Sequence, residues 1–149
     1  MPAFTNAAEN ALIDWLFRGA PAPALPANWH FALLTQIPGD DGTPLEEVSS
    51  GAYARVPVAR ALVTFSGTQG PGSTAASSGA GGATSNNGLI AFAAPTADWG
   101  TVRAIGIFDA AVGGNLWFAE RLAEARTVRA GDAPPSFLPG AFSFTLDAN

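Results

Sequence analysis

Near the start of the chain, apolar residues recur at the three- and four-residue spacing of an amphipathic helix. The residues of this stripe are Ala8, Leu12, Trp15 and Leu16. Their spacing predicts a helix over residues 7–17 with one apolar face. Because a helix this short is marginal in isolation, we expect Leu12, Trp15 and Leu16 to form an interface. Its partner is either the body of the same domain or a neighbouring subunit.

The residues on either side give this helix its predicted ends. Asn6 is placed as the N-cap, and Glu9, three positions later, completes a capping box. Gly19 suits the C-terminal end, where a left-handed backbone is common. Residues 1–19 are therefore predicted to form a helical appendage of a single domain that spans residues 1–149.

After a proline-rich link, the pattern changes to the two-residue alternation that is typical of β-strands. Strands are predicted at residues 29–34, 56–58, 89–93, 102–108, 116–119, 127–128 and 142–146. The number and spacing of these short segments predict a mainly β fold over residues 20–149. We expect an antiparallel β-sandwich of the jelly-roll type, or a small barrel.

Proline and glycine refine the positions of two of these strands. Pro57 cannot donate to a β-ladder, so its strand is expected at a sheet edge or a bulge, with residues 62–65 as an extension. Gly113 and Gly114 provide the backbone freedom for a hairpin turn before the strand at 116–119.

Residues 66–87 form a low-complexity segment of Gly, Ser, Ala and Thr, without a charged or large apolar side chain. Such a stretch buries too little apolar surface to offset the entropy lost when it is ordered. We predict a long, flexible Gly/Ser-rich loop; the alternative is a loop that becomes ordered against an adjacent subunit.

The composition argues against several classes of function. Hydrophobic residues make up 48% of the chain and charged residues 13%, about half the usual charged share. The net charge of −5 argues against a nucleic-acid-binding protein. No apolar run approaches the ~20 residues of a membrane-spanning helix, and no signal-peptide pattern is visible. The absence of cysteine excludes disulfides and cysteine-ligated metals.

Few residues suggest catalysis. His30 is the single histidine, and its apolar, alternating surroundings are more typical of a strand side chain than of a general base. Asp40, Asp41, Glu46 and Glu47 cluster around one loop, where a solvated turn is expected. A weak calcium site and a glycosidase carboxylate pair are the alternatives for this cluster. We predict no catalytic residues, no metal site and no cofactor.

Aromatic and amide side chains suggest a second kind of contact. Tyr53, Trp99 and Trp117 have rings that can stack on sugars, and Asn86 and Asn87 can bind hydroxyl groups. In a small domain, however, such rings more often form the core or an interface. Contact with a glycan is therefore kept as an alternative to a role in the core.

Two blocks of sequence resemble a known family. The first block is EVSSGAYARV at residues 47–56. The second runs from ADWGTV at 97–102 through GIFDA at 106–110 to GGNL at 113–116. Both resemble blocks of small bacteriophage virion proteins of the tail-fibre type, and the order of helix, strand, polar loop and terminal strand is similar over most of the chain.

The resemblance implies a non-enzymatic structural component of a tailed bacteriophage particle, associated with the tail as a fibre, tip or baseplate accessory. The alternatives are a capsid decoration or head-spike protein and a glycan-binding module for host recognition. Expected partners are further copies of the chain, as a trimer, and other tail or capsid proteins of the phage. If the chain is a module for host recognition, a host-surface glycan is a further expected partner. The expected location is the virion, after synthesis in the host cytoplasm without a signal peptide or membrane insertion.

Overall fold

The computed structural model describes residues 3–146 of the 149-residue chain. Its elements are β1 (Ala3–Phe4), α1 (Asn6–Phe17), β2 (Asn28–Leu34), β3 (Val56–Ala59), β4 (Ala83–Ser85), β5 (Ile90–Ala91), β6 (Gly100–Phe108), β7 (Leu116–Val128), β8 (Ser136–Phe137) and β9 (Ser143–Thr145). Within this range the predicted class is confirmed: the fold is mainly β, its sheets are antiparallel, and it has one short N-terminal helix. The outermost residues of the predicted domain, 1–2 and 147–149, lie outside the described range.

An open five-stranded sheet forms the frame of the molecule, in the order β1-β7-β6-β2-β3. The central pair is β2 with β6, in a register that sets Phe31 opposite Ile107 and Leu33 opposite Ile105. Strand β3, which contains Pro57, lies at one edge, as predicted from the missing amide donor. Because β1 and β3 are separate edges, this sheet does not close, and the alternative of a small barrel is not realised among the described strands.

Two short ladders, β4 with β9 and β5 with β8, add further β-structure beside the main sheet. Side chains of both ladders and of the sheet share the main hydrophobic core. Its buried members are Phe31, Leu33, Val48, Ile90, Phe92, Trp99, Val102, Ile105, Ile107, Val128, Phe142 and Phe144. A second, smaller cluster joins Ala32 and Leu34 to Ala104. Since neighbouring residues of β2 belong to different clusters, both faces of this strand are covered, and the arrangement is sandwich-like.

Helix α1 begins one residue earlier than predicted and ends as predicted. Thr5 is its N-cap and makes no side-chain cap, because its hydroxyl donates to the Leu116 carbonyl oxygen of β7 at 2.6 Å. The predicted capping box on Asn6 is therefore wrong: Asn6 is already helical. At the other end, Gly19 adopts a left-handed backbone with φ of 73°. Among the helix residues, Ala8 is fully buried.

Four predicted segments differ from the structure. The strand predicted at 89–93 is shorter, because only Ile90–Ala91 pair with β8. Residues 62–65 do not extend β3, because the chain turns and the Thr64 hydroxyl donates to the Ala61 carbonyl oxygen at 2.9 Å. The strands predicted at 116–119 and 127–128 are parts of the single strand β7. Within β7, the pairing register against β6 shifts beside a polar stretch. Because residues of this stretch do not alternate between apolar and polar, the sequence pattern does not show that they continue the strand.

Residues 66–87, predicted to be a loop, contain strand β4 and buried polar groups. The hydroxyls of Ser66 and Ser85 lie 3.0 Å apart, and both residues are buried. Asn86 is also buried and forms an isolated β-bridge with Phe65. Hydrogen bonds over long sequence separations therefore hold the two ends of this segment. Among the described residues no helix has the length and apolarity that crossing a bilayer requires.

Candidate assembly surface

Arg55 forms a bidentate ion pair within the first sequence block and also binds the second block. Arg55 donates from Nε and Nη2 to the carboxylate oxygens of Glu47 at 2.9 and 2.8 Å. Its Nη1 donates to the carbonyl oxygens of Ala110 and Gly113 in the turn between β6 and β7. The guanidinium carbon also lies 3.6 Å from the centroid of the Phe108 ring. A guanidinium with this many hydrogen-bonded donors holds its partners in one relative position. Arg55 therefore holds the hairpin turn against the first block.

Tyr53 belongs to the same network. Its hydroxyl donates to Glu47 Oε1 at 2.7 Å and accepts the Leu33 amide proton at 3.0 Å. Burial, and then the hydrogen bond to Glu47, raise the pKa of Tyr53 well above its ordinary value. The ring stacks on Phe92 with centroids 6.0 Å apart and meets Trp99 edge-on at 5.4 Å. Tyr53 therefore uses its ring and its hydroxyl in packing within the chain.

The two tryptophans considered for glycan contact are buried. Trp99 is 4% exposed, and its indole N–H donates to the Gly51 carbonyl oxygen at 2.8 Å. Trp117 is 8% exposed and donates to Asp109 Oδ2 at 3.1 Å. Burial alone would raise the pKa of Asp109, but hydrogen bonds from Asn115 and Trp117 outweigh it, and the pKa lies below its ordinary value. Trp117 and Asp109 therefore stabilise the hairpin turn, and Trp99 ties the start of β6 to the first sequence block.

The two candidate asparagines bind the backbone of their own chain. Asn86 accepts the Phe142 amide proton and donates to the carbonyl oxygens of Gly88 and Leu138. Asn87 makes three such bonds to backbone groups of residues 63–73. Of the five residues predicted for glycan contact, the structure therefore brings Tyr53 and Trp99 together in the core and does not assemble the set at the surface. Contact with a glycan stays an untested prediction.

The predicted interface residues lie on helix α1 and are partly open. Leu12 is half-buried, Trp15 is 45% exposed and Leu16 is 58% exposed. Sequence reasoning missed two further exposed apolar residues of this helix, Ile13 at 50% and Phe17 at 82%. Ile13, Leu16 and Phe17 are spaced three and four residues apart and so share a face. We call these three residues the helix patch.

The helix patch differs in position from the face that holds the helix to the body. Ala8 is fully buried. At 100° per residue, Ile13 projects from the helix about 140° away from Ala8 around the helix axis. The helix is therefore apolar on two faces. A helix of this kind is ordinarily covered on both, and within residues 3–146 the helix patch is not covered.

An open apolar cavity of about 530 Å³ lies beside the main sheet. Aromatic rings dominate its walls: Trp29, Phe65, Phe118, Phe142 and Phe144. Exposed residues at its rim include Arg60, Leu62 and Ser77. Its volume falls in the range of about 300–1,000 Å³ found for ligand pockets. Sequence reasoning missed this aromatic cavity because its walls come from widely separated segments of the chain.

Comparison with protein families relates nearly the whole described chain to one family. Residues 3–145 match the family model described as Podophage GP4 fiber I protein gp80. The chain belongs to this family. It is a family of phage fibre proteins, so the resemblance to phage fibre proteins is confirmed at that level. A comparison with curated proteins gives no match.

The match to the fibre family spans all the features described above. Helix α1, both sequence blocks, the residues around the aromatic cavity and strand β9 all fall within residues 3–145. The family relationship therefore concerns the complete sheet framework together with the helix, and not a single motif within it.

The candidate catalytic groups of this fibre-family chain lie apart or have structural partners. His30 pairs across the sheet with Pro57 and Phe108, and its Nδ1 is buried without a hydrogen-bond partner among the described residues. In the acidic loop, hydrogen bonds from Thr43 lower the pKa of Asp41. Within residues 3–146, no group of three or more potential metal-ligating side chains is found.

Proposed function

We propose that this chain is a non-enzymatic structural subunit of a fibre on the tail of a bacteriophage particle. The observation that carries the proposal is membership of a phage fibre family over residues 3–145. The same membership implies association with the virion. A mainly β frame whose polar groups are used within the fold suits a part that must hold its shape during assembly.

We further propose that copies of the chain assemble into a homo-oligomer, a trimer. The support is physical: helix α1 leaves its apolar helix patch uncovered, and charged residues make up 13% of the sequence. Interfaces that bind permanently are more apolar than ordinary surfaces and are depleted of charge at their centres. Analytical ultracentrifugation of the full chain tests this proposal, and a monomer at every concentration reached would contradict it.

The position on the particle is tested by comparing reconstructions of wild-type phage and of phage from which the gene for this chain is deleted. We expect density to disappear from the tail. Loss of density from the capsid surface would favour the decoration alternative instead. Adsorption of the deletion phage to host cells tests the host-recognition alternative, because unimpaired adsorption would exclude a necessary receptor contact.

The absence of enzymatic activity is proposed from the family and from the state of the carboxylates. Glu47 is held by Arg55 and Tyr53, as an ion pair of the fold rather than as a group facing a substrate. A depolymerase assay on host-surface polysaccharide tests the proposal. Cleavage that is lost when Asp40, Asp41 and Glu46 are replaced by their amides would contradict it.

A further inference from the structure

Two uncovered apolar features lie on different parts of this chain. The helix patch presents Ile13, Leu16 and Phe17, which are 50%, 58% and 82% exposed. The aromatic cavity lies beside the main sheet, and no residue of the helix patch contributes to its lining. One copy of the chain therefore does not cover its own cavity with its own helix patch.

We infer that the helix patch of one copy docks into the aromatic cavity of a second copy. This inference rests on the proposed homo-oligomer and names the surfaces that build it. The two features match in chemistry, because aliphatic and aromatic side chains meet a cavity walled by five aromatic rings. They also match in scale, since a cavity of about 530 Å³ can hold the ends of a few large side chains.

Charges beside the two features are complementary. Asp14 lies on the helix next to Ile13, and Arg60 lies at the rim of the cavity. Asp14 pairs with Arg18 at 2.7 Å, but both side chains are exposed and such a pair contributes little stability. Arg60 donates from Nε to the Pro26 carbonyl oxygen. Its two terminal nitrogens make no hydrogen bond within residues 3–146 and can receive the carboxylate of a second copy.

The inferred contact has a defined symmetry. It joins two different surfaces, so it is a head-to-tail contact that closes into a ring when the rotation between subunits allows. In a closed ring, each subunit buries its helix patch and its cavity at once. Each subunit then makes the same contact twice, so the closed ring is more stable than a single contact between two copies.

Two single variants of the full chain test the contact. Phe17→Asp places a charge in the helix patch, and Leu62→Asp places one at the cavity rim, where Leu62 is 60% exposed. Because both side chains are exposed, we expect each variant to fold and to weaken self-association at least tenfold in sedimentation velocity. Val112→Asp, in the turn between β6 and β7 at a residue that is 89% exposed, is the matched control and should associate like the wild type.

Mixing the two variants makes the test specific. The Phe17→Asp chain keeps an intact cavity, and the Leu62→Asp chain keeps an intact helix patch. An equimolar mixture should therefore form a dimer with one copy of each and no larger closed assembly. Formation of this dimer also shows that both variants are folded.

The outcomes separate the inference from the proposed function. If the wild-type chain associates and either variant associates as tightly as the wild type, the docking is overturned while the homo-oligomer stands. The docking is also overturned if both variants lose association but do not combine in the mixture. A wild-type chain that remains a monomer at the highest attainable concentration overturns both the docking and the proposed homo-oligomer.

Discussion

Arg55 and Glu47 face each other as a two-point ion pair, with nitrogen–oxygen distances of 2.9 and 2.8 Å. The Arg55 side chain is 6% exposed, so little water is available to replace the carboxylate. Through its remaining donor, Arg55 also binds the carbonyl oxygens of the turn at Ala110 and Gly113. The two sequence blocks are therefore one structural unit, in which the first block positions the hairpin of the second.

Glu47→Gln should destabilise the fold by about 3 kcal/mol, because it leaves a nearly buried guanidinium without its counter-charge. Urea unfolding followed by circular dichroism measures this loss. The matched control is Asp14→Asn, which breaks the exposed pair with Arg18 and should cost less than about 1 kcal/mol. Equal losses in the two variants would show that the buried pair has no particular role in the fold.

Tyr53 should stay un-ionised in the folded chain well above the ordinary tyrosine pKa of about 10. Burial and the hydrogen bond to Glu47 raise its pKa, and it is the single tyrosine, so tyrosinate absorbance reports it alone. As pH rises past about 10, the unfolded chain loses this proton first. The contribution of Tyr53 to stability is thus complete below that pH and is lost above it.

The control for the Tyr53 titration is the same chain in denaturing urea, where half-ionisation is expected near pH 10. Glu47→Gln removes the charge next to the hydroxyl and should move the folded titration towards that value. Half-ionisation of the native chain near pH 10 would contradict the buried geometry of Tyr53.

The parts of the fold that the sequence predicts correctly are those in which burial imposes a pattern. Strands β2 and β6 are visible as nearly continuous apolar runs because both of their faces are covered, and the sequence places the ends of α1 within one residue. Pro57 marked a sheet edge for a local reason, the missing amide proton. In each case, a property of single residues or close neighbours determines the structure.

The parts that were missed depend on contacts between distant segments. Strand β4 has three residues, too few for a visible period, and is held by the ladder with β9 and by the Ser66–Ser85 contact. The aromatic cavity has the same origin, since its walls meet through the fold alone. The helix patch is predicted only in part, because Leu16 belongs to the stripe through Ala8 and Leu12, whereas Ile13 and Phe17 lie outside that stripe.

Gly51→Ala should cost about 3 kcal/mol or more. Gly51 has φ of 45°, and a Cβ there would lie 2.3 Å from the Ala97 backbone nitrogen. The substitution therefore combines backbone strain with a clash against main-chain atoms. It also disturbs the carbonyl oxygen that accepts the Trp99 indole proton. Gly88→Ala is the control in the same unfolding assay, with nothing within 4 Å of its Cβ, and should change stability by less than about 1 kcal/mol.

Asn86→Asp should destabilise the fold by about 3 kcal/mol at neutral pH. Asn86 is 1% exposed, and its Nδ2 donates to the carbonyl oxygens of Gly88 and Leu138 at 2.8 and 2.9 Å. An ionised aspartate would set a third oxygen against these two, so that the Gly88 carbonyl loses its donor, the Leu138 carbonyl keeps only the Ala141 amide, and the buried charge has no counter-charge. Urea unfolding measures the loss, with Asn10→Asp on the exposed surface of α1 as the matched control.

The pH dependence of the Asn86→Asp variant separates charge from shape. Burial without a counter-charge must raise the pKa of the new carboxyl above its unfolded value of about 3.9. The folded variant then binds the proton at a higher pH than the unfolded one, so its stability relative to the wild type rises as pH falls from 7 towards 4. The protonated acid also restores one of the two lost donors. A loss of stability that is equal at both ends of this range would show that charge is not its cause, and would leave the shape of the side chain as the reason why residue 86 is an amide.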